Sequence, residues 1–108
     1  MSLYTIKTLE DVEHVSNRME FLGEDERGGK RIGRYMITTA YKNKEMSEEF
    51  FFELDAEDDL EQLVKKHKNL VQSRFEEIKE EMIYALSRSS LIPVCLVCIN
   101  KELMKKIV

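Results

Sequence analysis

Ten apolar residues recur at helical spacing along one stretch of the chain: Leu60, Leu63, Val64, Leu70, Val71, Phe75, Ile78, Met82, Ala85 and Leu86. No Gly or Pro interrupts them, so the helical period is unbroken. Asp58 is placed to cap the first turn, and Glu61 three residues later can close a capping box. Such a helix is about 40 Å long at 1.5 Å per residue, whereas a compact chain of 108 residues has a radius of gyration of about 13 Å. Either the helix breaks near residues 68–69, or part of its apolar face meets something outside one globule.

The remaining elements must pack around that helix. Residues 3–7 alternate as a short strand. Thr8 then precedes Leu9, Val12, Val15, Met19 and Leu22, whose spacing predicts a helix over residues 9–22. Thr8 and Asp11 form a capping-box pattern, and Gly23 supplies a stop. A competing strand over residues 15–21 also fits, because Val15, Met19 and Phe21 alternate. Residues 24–31 form a charged loop around Gly28 and Gly29. Residues 32–41 and 48–55 read as two strands of a hairpin, with the turn over residues 42–47.

Pro93 opens an apolar run to Ile99, which reads as a strand buried on both faces. Leu96, Ile99, Leu103 and Ile107 also recur at helical spacing, so a helix competes there. Residues 101–108 look like a terminal helical turn. The resulting order is βαββαβ, that of a ferredoxin-like α+β two-layer sandwich, one domain over residues 1–108 with a long second helix. That layout would put the apolar last strand at a sheet edge, a liability unless something covers it. With the over-long helix, it points to a homodimer.

Composition narrows the function classes. Apolar residues make up 43%, enough for one core, and the formal net charge of −4 disfavours a globally basic nucleic-acid binder. Glu10, Asp11 and Glu13 argue against a secretory leader. The longest uncharged run, residues 89–100, is too short to span a bilayer. A cytoplasmic protein without a membrane segment is the expectation. Cys95 and Cys98 are the only cysteines, which suits a reducing compartment. Their CxxC spacing invites redox or zinc chemistry. In a strand, however, residues three apart point to opposite faces, so both are expected to be unreactive structural thiols.

Two charged clusters are candidate sites. Arg27, Lys30 and Arg31 flank the Gly28-Gly29 pair, with Arg34 beyond, and could contact phosphate. The spacing matches neither a P-loop nor a dinucleotide fingerprint, and Glu24, Asp25 and Glu26 neutralise the cluster. Asp55, Glu57, Asp58 and Asp59 form an acidic segment that could face a partner. Carboxylates there also suit a helix start, and Leu60 stands where a calcium loop needs glycine. A metal-dependent hydrolase has only this weak foothold. His14 and His67 lie at no spacing that marks a catalytic base. The sequence therefore favours a small acidic, non-enzymatic protein-binding regulator (an inhibitor, adaptor or assembly factor) acting as a homodimer. It would bind a protein partner and use no cofactor or metal, and a phosphate or nucleic-acid binding module is the alternative.

Overall fold

The computed structural model describes residues 3–55, 57 and 59–105. Strand β1 (Leu3–Ile6) leads to a short helix α1 (Leu9–Glu13), then to three long strands, β2 (Val15–Arg27), β3 (Lys30–Tyr41) and β4 (Lys44–Leu54). The long helix α2 (Leu60–Arg88), strand β5 (Ile92–Cys95) and helix α3 (Leu96–Met104) follow. Strands β2, β3 and β4 form an antiparallel meander with β3 central, while β1 and β5 pair only with each other. This mixed α and β architecture is not the ferredoxin-like layout. The expected helix over residues 9–22 ends at Glu13, and the chain turns at His14 into β2. The hairpin thereby becomes a three-stranded sheet, and β1 is left to find β5.

The capping box at α1 forms as expected. Asp11 N–H donates to Thr8 Oγ1 at 3.2 Å, and Thr8 N–H donates back to Asp11 Oδ2 at 3.2 Å. Beyond it, Val15, Asn17, Met19 and Phe21 alternate inward along β2 against the exposed Ser16, Arg18, Glu20 and Leu22. A bulge between Phe21 and Gly23 shifts the register, with Gly23 at φ 141°. Gly28 and Gly29 make the β2–β3 turn at φ 60° and 78°. Two consecutive left-handed residues are what a tight hairpin of this hand requires, and glycine adopts them without strain. The second turn is equally short, Lys42 and Asn43, with Lys42 at φ 53°.

Helix α2 runs unbroken through residues 68–69. Its N-cap is Asp59, whose side chain accepts from Glu61 N–H at 3.1 Å, rather than Asp58, which lies outside the described residues. The molecule accommodates this helix by elongating to 51 × 23 × 18 Å. A helix of 29 residues extends about 43 Å, and a strand of 12 residues about 40 Å, so the meander matches α2 in length. One cluster joins Val71, Phe75, Ile78 and Met82 of α2 to Tyr35 and Ile37 of the sheet, to Ile99 and Leu103 of α3, and to Ile6 and Val94 of the β1–β5 ribbon. The chain thus covers the middle of its long helix, from Val71 to Met82, while Leu70, Ile83 and Tyr84 stay exposed. Helix length alone no longer calls for a second copy.

Tyr35 sits at the sheet end of this cluster, fully buried, with ring centroids of Phe21 at 5.2 Å, Phe52 at 5.1 Å and His67 at 5.6 Å. Its hydroxyl has no hydrogen-bond partner among the described residues, and burial pushes its pKa up. A buried hydroxyl without a partner retains its desolvation cost. Tyr35→Phe is therefore expected to raise stability by about 1 kcal/mol in urea titration. A loss of that size would reveal a partner for the hydroxyl.

The apolar run after Pro93 departs most from its expected form. It is extended only as far as Cys95, and Leu96 begins α3. Leu96, Ile99 and Leu103 then face the core together, as their spacing allows in a helix and not in a strand. Asn100, fully buried on α3, joins that helix to the sheet. Its Oδ1 accepts from Thr39 Oγ1, and its Nδ2 donates to the carbonyls of Ile37 and Met46 at 3.4 and 3.2 Å.

Candidate functional site

The four cations of the basic cluster lie on the β2–β3 hairpin and the adjoining length of β3, and each meets a carboxylate. Arg27 pairs with Asp25 at 3.3 Å, Lys30 with Glu53 at 3.2 Å and Arg34 with Glu49 at 2.8 Å. Arg31 pairs with Glu24 and also donates from Nη1 to the Asp55 carbonyl at 3.0 Å. The Arg31 guanidinium holds the Glu24 carboxyl below its ordinary range. Arg27 additionally lies over the Phe51 ring, 4.7 Å from its centroid. Two of these are diagonal cross-strand contacts: Glu26 is opposite Arg31 with Glu24 two residues away, and Phe51 is opposite Arg34 with Glu49 two residues away, whereas Arg27 meets Asp25 on its own strand. A phosphate would have to compete with an existing carboxylate at each of the four.

The acidic segment lies between β4 and α2. Asp55 and Glu57 are exposed, Asp59 caps the helix, and Asp58 is outside the described residues. Of these, Asp59 serves the helix start, joined by Glu61 in the first turn. No group of three or more metal-ligating side chains occurs among the described residues. His14 is exposed, and His67 packs between Tyr35 and Phe52, with the Phe52 centroid at 4.6 Å.

Two surfaces remain. The first is the outer face of the meander, opposite the core. It presents Arg18, Glu20 and Leu22 from β2, Arg34 and Met36 from β3, and Glu49, Phe51 and Glu53 from β4. Leu22 is 38% exposed and Phe51 45%. Both edges of this sheet, β2 and β4, are long and unpaired among the described residues. Long open edges bordering exposed apolar side chains are features that proteins ordinarily cover or blunt.

The second is a groove of about 480 Å³ where the ribbon, α2 and α3 meet, lined by Leu3, Met82, Pro93, Cys98, Glu81 and Glu102 among others. Arg74, from the middle of α2, pairs with Glu102 across to α3 and with Glu77 at 2.6 Å. Lys105, then Arg74, hold the Glu102 carboxyl below its usual range. Cys95 and Cys98 border this groove as free thiols, the first buried and the second exposed. They do not lie on opposite faces of a strand. Cys95 is the N-cap of α3 and Cys98 lies three residues on, in its first turn.

Helix packing of Leu96, Ile99 and Leu103 thus brings together two sulfurs that a strand would have separated. Their own spacing held this signal: three residues apart is opposed in a strand and adjacent in a helix. No helix among the described residues is long and apolar enough to cross a membrane. Compared with known protein families, characterised proteins and solved structures, the chain matches none.

Proposed function

We propose that the protein is a small acidic, non-enzymatic binding regulator that works in the cytoplasm as a homodimer, an inhibitor, adaptor or assembly factor for a protein target. The observation that carries this reading is the uncovered outer face of the β2–β3–β4 sheet with its two open edges. That face sets Leu22, Met36 and Phe51 among charges of both signs, with Arg18 and Arg34 beside Glu20, Glu49 and Glu53. A patch of mixed sign with an apolar centre can meet its own copy across a two-fold axis without net repulsion. The exposed Asp55, Glu57 and Asp59 are left outside this contact, as the surface for a basic target. The carboxylates already engaging Arg27, Lys30, Arg31 and Arg34 favour this reading over phosphate binding.

Sedimentation equilibrium at micromolar concentration tests the dimer. The expected mass is twice the 12.8 kDa of the chain. Phe51→Glu places a third carboxylate between Glu49 and Glu53 and is expected to return the single-chain mass with an unchanged circular dichroism spectrum. A wild type that sediments at the single-chain mass overturns the dimer, and an unaltered Phe51→Glu dimer overturns the face assigned to it.

A further inference from the structure

The thiol pair at the start of α3 carries an inference independent of the sheet face. We propose that Cys95 and Cys98 form a reversible dithiol–disulfide couple that exchanges with low-molecular-weight disulfides, Cys98 attacking and Cys95 resolving. Three observations and one general distance relation converge on it. The two residues occupy the N-cap and third position of a nine-residue helix, positions whose side chains face one another, as in a capping box. Residues three apart across such a turn fall within the Cα separation of about 4.4–6.8 Å that a disulfide spans. Cys98 is exposed on the groove, whereas Cys95 is 8% exposed, so an external disulfide reaches Cys98 first. Both are free thiols in this structure.

The local electrostatics make Cys95, the less accessible of the two, the readier thiolate. Cys95 makes no side-chain cap hydrogen bond, but the nearby Cys98 thiol and then the N–H groups of the first helical turn stabilise negative charge on its sulfur. They hold Cys95 below the ordinary thiol range, while the same contact raises Cys98. A helix N-terminus stabilises negative charge on sulfur in this way. Cys95 is therefore the readier thiolate for the resolving step, while exposure on the groove, not acidity, puts Cys98 first in contact with an external disulfide.

The exchange balances without any further reactant. Cys98 Sγ, its proton released to solvent, attacks one sulfur of the small disulfide, whose S–S bond breaks. The first small thiolate leaves and takes up a proton from solvent. Cys95 then releases its proton and attacks Cys98 Sγ, expelling the second small thiolate, which is protonated in turn. Two protein thiols lose two electrons and two protons, and the small disulfide leaves as two thiols. In a reducing compartment such a pair cycles and is not a permanent crosslink.

The test uses the whole folded chain with glutathione disulfide as the probe, followed by intact-mass and peptide mass spectrometry. Wild type is expected to lose two hydrogen masses without gaining a lasting adduct, and to recover them with excess glutathione. Cys95→Ser is expected to trap a stable glutathione adduct on Cys98. Cys98→Ser, its remaining thiol buried, is expected to react at least about tenfold more slowly. Cys95→Ala serves as the trapping variant should the serine form fail to fold, as judged by circular dichroism. Lasting wild-type adducts, covalent dimers or an unreactive wild type would overturn the couple. Faster reaction at Cys95 in the Cys98→Ser variant would overturn the assigned roles.

Discussion

Replacing Phe75 with alanine is expected to remove about 3–5 kcal/mol of folding stability. Phe75 is 2% exposed at the centre of the inward face of α2, and Lys79 Nζ lies 5.0 Å from its ring centroid. The position belongs to the one cluster in which sheet, ribbon and both packing helices meet. A void there is bounded by several elements at once and cannot close by the shift of any single one. Small domains have only about 5–15 kcal/mol of total stability, so the variant approaches its unfolding midpoint without denaturant. Urea titration should show a lower midpoint at an unchanged slope. Leu70→Ala is the control on the same helix. Leu70 is 39% exposed, and its truncation is expected to cost no more than about 1 kcal/mol. Equal losses at the two positions would mean that the helix presents a different face.

Asn100→Leu is expected to cost about 2–4 kcal/mol although it adds apolar bulk to a buried site. The amide is fully buried and bridges α3 to two strands through Thr39, Ile37 and Met46. Leucine leaves the Thr39 hydroxyl without its acceptor and withdraws a donor from two carbonyls in a region closed to water. Asn100→Asp should be worse. A carboxylate there faces the carbonyl oxygens of Ile37 and Met46 with acceptors only. Urea midpoints for the two variants, taken with Thr39→Val, measure how far the network acts as a unit. A neutral Asn100→Leu would show that apolar packing alone holds α3 on the sheet.

The sequence was most legible where one period dominated a long stretch. Helix α2 follows from ten apolar residues in helical register, and the β3–β4 hairpin from two alternating runs. The stretch from Leu9 to Leu22 was ambiguous for a definable reason. Val15 and Met19 are four apart, an interval that keeps two side chains together on a helix and equally on a strand. Context decided it, because β3 offers β2 a partner along almost its whole length, whereas a lone helix of that size gains little in water. The ferredoxin-like order failed at that segment and again at Leu96, where the expected last strand gives way to α3.

Apolarity also concealed the boundary between Cys95 and Leu96, since both halves of the run are buried and only the spacing of Leu96, Ile99 and Leu103 separates helix from strand. The charged clusters were visible as clusters, but their internal pairing was not. Which carboxylate each arginine meets depends on strand register, and register depends on turns that prove two residues long.

The two-stranded ribbon imposes an order on the life of the chain. Strand β1 is the first described element to be synthesised, and its only strand partner, β5, is nearly the last. The meander rests on contacts between neighbours in sequence, so it can assemble while β1 still has nothing to pair with, whereas α2 packs on α1, β2, α3 and β5. Closing the ribbon brings together distant parts of the chain, with the loop-closure cost that such contacts carry. It acts as a clasp, fastened last, and Leu3 and Cys95 are opposite one another at its fastening point.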